Sequence, residues 1–401
     1  MSRLRFTKTT QPGTPATNKT ELFIDTTTRR ASAIDDTGVV SVLMNNIKPN
    51  LLINGDFTFC QRAAVALTNI TSPSATNRIY SADRWGFTSG NVTTPQFQQV
   101  DTSGSPETGI TARYYARYKQ LTNAAKVALT QVVLSRDTLP EMSRTVRFTV
   151  YMKYSVGSNR DMRLGLVSNT GTVDAPTAAQ WNAFNANGTD PTLGASLAYL
   201  QAVLVEGTGA TLVGSSATCP ITTTWTRFSA TFVVPTTCKN LMPVIFSNNT
   251  FAVNDDLLIT QCMLTDGADI PDYIPNDYQT ELIKCQQFYY KSFNLATVPA
   301  NGANNGYHAG IIGKAAATAL ACHVPVRYPT RMRTAATPTL FSPGATGSAV
   351  PYRLNGATPA PQTSAAIVAA SEHGCTITAT GDANGAVGDH VGVHVTVDSE
   401  I

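Results

Sequence analysis

Between residues 50 and 278 apolar and polar positions alternate at period two in short runs separated by turn residues. Over 145–154, Val146, Phe148, Val150 and Met152 alternate with Arg147, Thr149, Tyr151 and Lys153, which predicts a strand with one buried face. The run 126–134 is apolar on both sides. Val127, Leu129 and Val133 share one face, with Ala128, Thr130, Val132 and Leu134 on the other, so this strand is expected deeper in a sheet. The run 224–234 continues the series until Pro235, which has no ladder donor, and 257–264 adds another strand. Such spacing predicts a two-sheet β-sandwich. Residues 170–200, with Trp181 and many Ala, Asn and Gly, break the alternation and read as a long insertion carrying one helical turn.

The sandwich has an entry corner. Leu51 to Ile53 is a short apolar run, Asn54-Gly55-Asp56 forms a turn, and Phe57 and Phe59 then alternate with Thr58 and Cys60. Trp85, just past Asp83-Arg84, brings a large apolar side chain to that corner. Upstream, 11–17 is a turn or extended segment, 22–25 a strand and 33–40 a strand-turn-strand. This arm reads as lacking a core of its own and as ordering against a partner. Downstream, Leu282, Cys285, Phe288 and Tyr289 fall at helical spacing before aromatic β-formers take over, predicting a short helix running into a strand. The tail, 374–397, reads as strand, Gly-rich turn and strand.

Four stretches carry a resemblance. NLLINGDF…QR (50–62), Y…DRW (80–85), ELIKCQQFYYKS (281–292) and VPVRYPTRMR followed by TPT (324–339) resemble elements of bacteriophage tail-fibre and head-fibre (virion appendage) proteins with a carbohydrate-binding-module-like jelly roll. ELFID…DDTG in the arm is similar to their leading segment. The resemblance spans most of 50–340 and thins beyond; Tyr328-Pro329-Thr330 and the extra Ala before Thr337 depart from it. It implies an all-β chain: an N-terminal extended arm at 1–49 that anchors to the virion, a jelly-roll β-sandwich at 50–278 and a C-terminal β-sandwich domain at 279–401. It further implies a virion structural protein and not an enzyme. This would be a tail-fibre, head-fibre or capsid-decoration subunit, assembled in the host cytoplasm as a homotrimer and joined to other virion proteins through 1–49. The alternative is a lectin-like adhesin for host attachment that recognises a surface polysaccharide.

Composition narrows the chemistry. Charged residues are 14% of the chain against about a quarter in ordinary soluble domains, which suits many turns and large buried interfaces. A net charge of +3, with no basic run longer than a pair, argues against a nucleic-acid partner. No apolar run of about 18 residues predicts membrane insertion, and no apolar stretch after Met1 to Phe6 predicts a secretory signal. Seven widely spaced cysteines without a CxxC pair read as free core thiols.

A sugar site needs an aromatic platform beside hydrogen-bonding groups, so Tyr114, Tyr115, Tyr118 and Trp181 are the candidate carbohydrate-binding residues. The plainer account of these tyrosines is packing in a sheet or at subunit contacts. Asp255, Asp256, Asp266, Asp269, Asp272 and Asp277 read as turn-forming carboxylates ahead of a catalytic pair or calcium ligands. His390 and His394 share a strand face and would approach across a symmetry axis, yet two ligands are too few for zinc. No catalytic residue, metal site or cofactor is expected.

Overall fold

The computed structural model describes residues 7–400 apart from 10–12, 18, 26–30, 39, 43–48, 63–67, 70–77, 91–93, 157–159, 177–180, 185–186, 268–271, 304, 317–318, 345–351, 355–359, 363 and 381–385. The chain is all-β, as the alternation predicts. In the arm, Thr7–Thr9, Glu21–Asp25, Ala31–Ile34 and Val40–Val42 form a four-stranded sheet in chain order, the first pair parallel and the others antiparallel. Asp35 turns the last hairpin, its carbonyl accepting from Gly38 N and its carboxylate from Thr37 N. Phe23, Ala33 and Ile34 are buried, so the arm has an apolar centre that the sequence reading did not credit.

Two antiparallel sheets make the sandwich. Sheet I runs, edge to edge, Thr211–Val213, Ser216–Ile221, Arg160–Asn169, Asn240–Ser247, Val127–Thr130, Trp85–Ser89 and Ile79–Ala82, with Leu197–Tyr199 also paired to Arg160–Asn169. Sheet II runs Ala202–Glu206, Thr226–Val233, Thr145–Lys153, Asp256–Asp266, Tyr114–Gln120, Pro95–Asp101 and Thr68–Asn69. The expected faces meet between them. Val146, Phe148, Val150 and Met152 from sheet II pack in one core with Val127, Leu129, Leu164, Leu166 and Ile245 from sheet I. Large-to-small substitution in such a core, Phe148→Ala for example, costs about 3–5 kcal/mol.

The reverse side of sheet I is covered as well. Ala128, Val132, Val167, Met242, Val244 and Phe246 lie beneath Phe184, Leu193, Leu197 and Tyr199 from the 170–200 excursion. Burial on both faces explains why 126–134 is apolar throughout. The excursion is not helical among the described residues. It pairs Trp181–Ala183 with Thr192–Leu193 and adds Leu197–Tyr199 to sheet I, because it must cap an apolar sheet face.

The helix expected after 278 spans Tyr278–Gln286, with the Asp277 carboxylate accepting from Thr280 N at its N-terminus. It runs into the strand Tyr289–Lys291 as predicted. That strand belongs to a nine-stranded third sheet built on His390–Asp398. The first half of His390–Asp398 pairs with His308–Ala316 and Tyr352–Arg353, the second half with Tyr289–Lys291 and Thr339–Phe341. Val391, Val393, Val395 and Val397 point from it into a second core with Ile312, Val324 and Ile377. His394, on the opposite face, is buried. Its ring stacks on Phe293 at 4.0 Å, with Ser292 Oγ and the Ala303 carbonyl at its two nitrogens, both 2.9 Å away. It is therefore not available to meet the exposed His390 at a symmetry axis, correcting that expectation.

At the sandwich corner Gly55 passes against the strand Asp256–Asp266. A Cβ there would lie 2.2 Å from the Cys262 carbonyl oxygen, the group that accepts from Asn50 Nδ2 at 2.9 Å. Gly55→Ala is expected to destabilise the fold by about 1–3 kcal/mol through overpacking. Urea unfolding with a lowered midpoint and an unchanged m-value is the check.

Candidate functional site

The four stretches that carry the resemblance lie far apart in sequence and meet at one seam between the sandwich and the third sheet. Asn54, in a left-handed conformation (φ 59°), organises the first. Its side chain donates to the carbonyls of Phe59 (2.7 Å) and Asp83 (3.0 Å) and accepts from Phe59 N (2.9 Å), and its carbonyl receives the Trp85 indole N–H (3.0 Å). Its backbone N–H donates to the carboxylate of Glu281, from the helix. Gln61 donates from its backbone and side-chain nitrogens to Asp83 (3.0 and 2.7 Å) and from the side chain to the Tyr289 carbonyl (3.1 Å).

Asp83 and Arg84 form a tight turn between Ile79–Ala82 and Trp85–Ser89, and Arg84 is also left-handed (φ 70°). Its guanidinium lies 3.4 Å over the Phe288 ring, donates to the Val132 carbonyl at 2.6 Å and pairs with Glu400. Arg62 stacks on Tyr289 at 3.8 Å and faces Asp398 at 3.1 Å and Glu400 at 3.5 Å. Arg333, from the fourth stretch, donates to the carbonyls of Ser399 (2.7 Å) and Glu400 (3.3 Å). Lys291, 4% exposed, donates to the carbonyls of Gln61 (2.8 Å), Leu295 (2.8 Å) and Thr297 (2.7 Å). Burial pushes the Asp83 carboxyl up against the pull of Arg62 and Gln61, and pulls Lys291 down to about 8. Charges this deep persist only when paired and hydrogen-bonded.

The sequence-predicted sugar residues separate. Tyr118 lies in the core, stacked on Phe87 (5.3 Å) and tilted against Phe97 (5.2 Å), so it is no exposed platform. Tyr115 is on the other face of its strand and is also packed away, edge-on to Trp225 at 5.4 Å beside Leu258. Trp181 keeps a strand position, but its side chain lies outside the described residues. Tyr114 shares Tyr118's face but sits at the strand end, past the core, and remains half-buried.

Tyr114 opens onto a groove along the seam. Two cavities of about 190 and 270 Å³ share Thr58, Phe59, Tyr114 and Tyr278 as walls. Gln61, Gln99 and Leu295 line one; Asp56, Arg113, Tyr273, Asn276 and Glu281 line the other. Tyr278, 48% exposed, lies against Phe59 at 4.8 Å. Burial raises the Asp56 carboxyl above its ordinary range. The groove residues are scattered in sequence, so no spacing announces them. The one local sign was an aromatic next to an N-capping Asp277.

Three of the remaining acids have basic partners. Asp256 accepts from Arg117 (2.9 Å), Ser155 and Val156 N (3.0 Å). Asp255 pairs with Arg160, and Asp266 faces Arg144 at 3.5 Å. Asp269 lies outside the described residues. Among the described residues no group of three or more His, Cys, Asp or Glu is placed to hold a metal ion. All seven cysteines are free, and all but the half-buried Cys60 are buried. Burial pushes the Cys262 and Cys285 thiols well above their ordinary range, which makes them inert packing groups. No helix among the described residues is long and apolar enough to cross a membrane.

No protein-family model and no curated protein matches the chain. Among solved structures it is similar to a carbohydrate-binding module, TmCBM61, in complex with β-1,4-galactotriose (TM-score 0.30, 10% identity, 55% of this chain and 99% of that one). A putative sugar binding protein from Bacteroides thetaiotaomicron is similar at TM-score 0.31 and 10% identity, over 55% of this chain and 100% of that one. The enzymatically active domain of tailspike protein 4 from bacteriophage CBA120 is similar at TM-score 0.29 and 10% identity, over 54% of this chain and 21% of that one. Likeness at this level carries no information about what this chain binds.

Lys291 gives the seam a pH signature. Its folded value of about 8 lies below the ordinary 10.5, so between those values the unfolded chain holds a proton that the folded chain has released. Stability therefore rises with pH across that window. Wild type is expected to gain stability relative to Lys291→Met between pH 8 and 10.5 in denaturant unfolding. A constant difference would show that Lys291 does not titrate there.

Proposed function

We propose that the protein is a structural subunit of a bacteriophage virion, a tail fibre or a head fibre, held on the particle through residues 1–49 and exposing its β-sandwich and third sheet. The observation that carries this reading is the convergence of the four resembling stretches on one buried seam. Residues that resemble a family and also bond to one another speak for a shared architecture, where composition alone would not. The burial of Tyr115 and Tyr118 supports a scaffold over a sugar-binding strand face. The engagement of Asp255, Asp256 and Asp266 in ion pairs supports a mechanical role over a catalytic one.

Assembly as a homotrimer belongs to the same proposal. Val203 and Leu204 on the outer strand of sheet II, with Leu212 and Val213 on the outer strand of sheet I, leave apolar side chains in water at one margin of the sandwich. Grouped exposure of this kind supports a subunit contact. The short strands of the arm suit docking by strand addition to another virion protein. A second reading, a lectin-like adhesin, is favoured by one observation, the aromatic groove beside Tyr278.

Particle assembly supplied with the full chain or with residues 50–401 tests the first reading. The full chain is expected in purified virions, and the shortened chain is expected folded in the lysate but missing from them. Absence of the full chain from virions would overturn the virion reading, and incorporation of both at equal copy number would overturn the role of the arm.

A further inference from the structure

His394 is a buried titratable group that neither the seam nor the groove uses. It lies fully buried on the face of His390–Asp398 turned away from the valine core. Its Nε2 is 2.9 Å from the Ala303 carbonyl, an acceptor, so this nitrogen carries the ring hydrogen. Nδ1 is then itself an acceptor. It takes the Ser292 hydroxyl at 2.9 Å, while Ser292 Oγ accepts from Val395 N at 3.0 Å. A second ring proton, on Nδ1, would point straight at that hydroxyl. Ser292 would then have to turn its own hydrogen to the Val395 carbonyl, 3.5 Å away, a poor replacement. The surroundings suit the neutral ring.

The neighbours do not offset a positive charge there. The ring stacks on Phe293 at 4.0 Å, meets Tyr307 edge-on at 6.0 Å and sits opposite Phe341 on the adjoining strand. Lys291, on the next strand, commits its ammonium to the carbonyls of Gln61, Leu295 and Thr297. His308, opposite Val393, contacts the Tyr290 hydroxyl at 3.1 Å, and a charge on it would repel one on His394. His390 and Asp398, at the two ends of the strand that carries His394, are exposed, and no carboxylate among the described residues acts on the ring. Burial therefore holds the imidazole below its ordinary value of 6.5. A charged ring needs water.

The lightest cover over it is the segment 294–303. Asn294, Leu295, Ala296, Val298, Ala300 and Asn301 are exposed, so this segment buries little, and such segments open at low cost. Its fastenings are hydrogen bonds at two ends. Lys291 holds Leu295 and Thr297 at one end. At the other, His394 holds Ala303, Gly302 N donates to the Ser342 carbonyl at 2.9 Å, and the Asn301 side chain accepts from Ser342 N at 2.8 Å. Lys291, with its value at about 8, stays protonated in acid and keeps its end closed.

We propose that residues 294–303 form an acid-released strap, closed over the neutral His394 and lifting at its Ala303 end when that ring takes up a proton. The open form hydrates the ring and binds the proton near the ordinary value, whereas the closed form binds it only at lower pH. Opening is thus favoured as the pH falls below 6.5.

Hydrogen exchange of the full chain at pH 7 and pH 5, corrected for intrinsic exchange rates, tests the strap. Gly302 N and Ser342 N report on the His394 end, and Thr297 N, bonded to the Asn294 carbonyl at 2.9 Å, reports on the Lys291 end. The strand Thr145–Lys153 is the reference. Protection of Gly302 and Ser342 is expected to fall about fivefold or more at the lower pH, with Thr297 and the reference strand unchanged. His394→Gln is expected to abolish this pH dependence and His308→Gln to leave it in place. Equal protection of Gly302 at both pH values would overturn the strap, as would a fall that persists in His394→Gln. A matching fall in the reference strand would overturn it too, since that is general acid unfolding. Because His394→Gln can itself disturb folding, the wild-type His394 ring is also titrated by NMR. Its protonation is expected to track the loss of Gly302 protection, and loss of protection while the ring stays neutral would overturn the proposal.

Discussion

The desolvated charges at the seam constrain everything around them. Asp83 and Arg84 lie in a two-residue turn with almost no exposure, so neither tolerates a vacant partner position. Asp83 takes Gln61 and faces Arg62; Arg84 takes Glu400 and the Val132 carbonyl. Those partners come from three different parts of the fold. The sandwich corner, sheet I and the end of the third sheet are thus held to one geometry, because displacing any of them strands a charge in a low-dielectric interior.

That geometry explains how an all-β chain with few charges keeps two cores in register. Sandwich and third sheet each bury an apolar interior, and apolar packing alone is indifferent to small slides between them. Hydrogen bonds are not. Asn54, Gln61 and Lys291 together tie the corner loop to the helix, to Tyr289–Lys291 and to the loop that follows. The groove lies along this rigid joint, so the rings of Phe59, Tyr114 and Tyr278 are set by both sides of the seam.

Much of this was legible in the sequence, and for a consistent reason. Strands with one wet face advertise themselves by alternation, so the pattern at 145–154 already shows which face turns inward. Burial on both sides underlies the continuous apolar run at 126–134, which marks a deep strand. The 170–200 excursion departs from the expected helical turn because its strands are short and irregular, and the sheet face that it covers is assembled from elsewhere. The tyrosines at 114, 115 and 118 show the limit of local reasoning. Alternation assigns their faces correctly, but it cannot tell where the sandwich ends, and that alone separates Tyr114 at the rim from Tyr118 in the core. The groove was invisible because Gln61, Tyr114 and Tyr278 come together only through the seam.

The pair that closes the seam joins Arg84 to Glu400, residues 316 positions apart. The order in which the molecule can be built follows from this distance. Loop-closure entropy is repaid only when such distant contacts form, and chains dominated by them fold slowly. The sandwich can collapse first on its own antiparallel ladders, leaving the turn at Asp83-Arg84 as a left-handed kink without its counter-charge. The counter-charge reaches that corner only once the end of the chain, at Glu400, has come back to it.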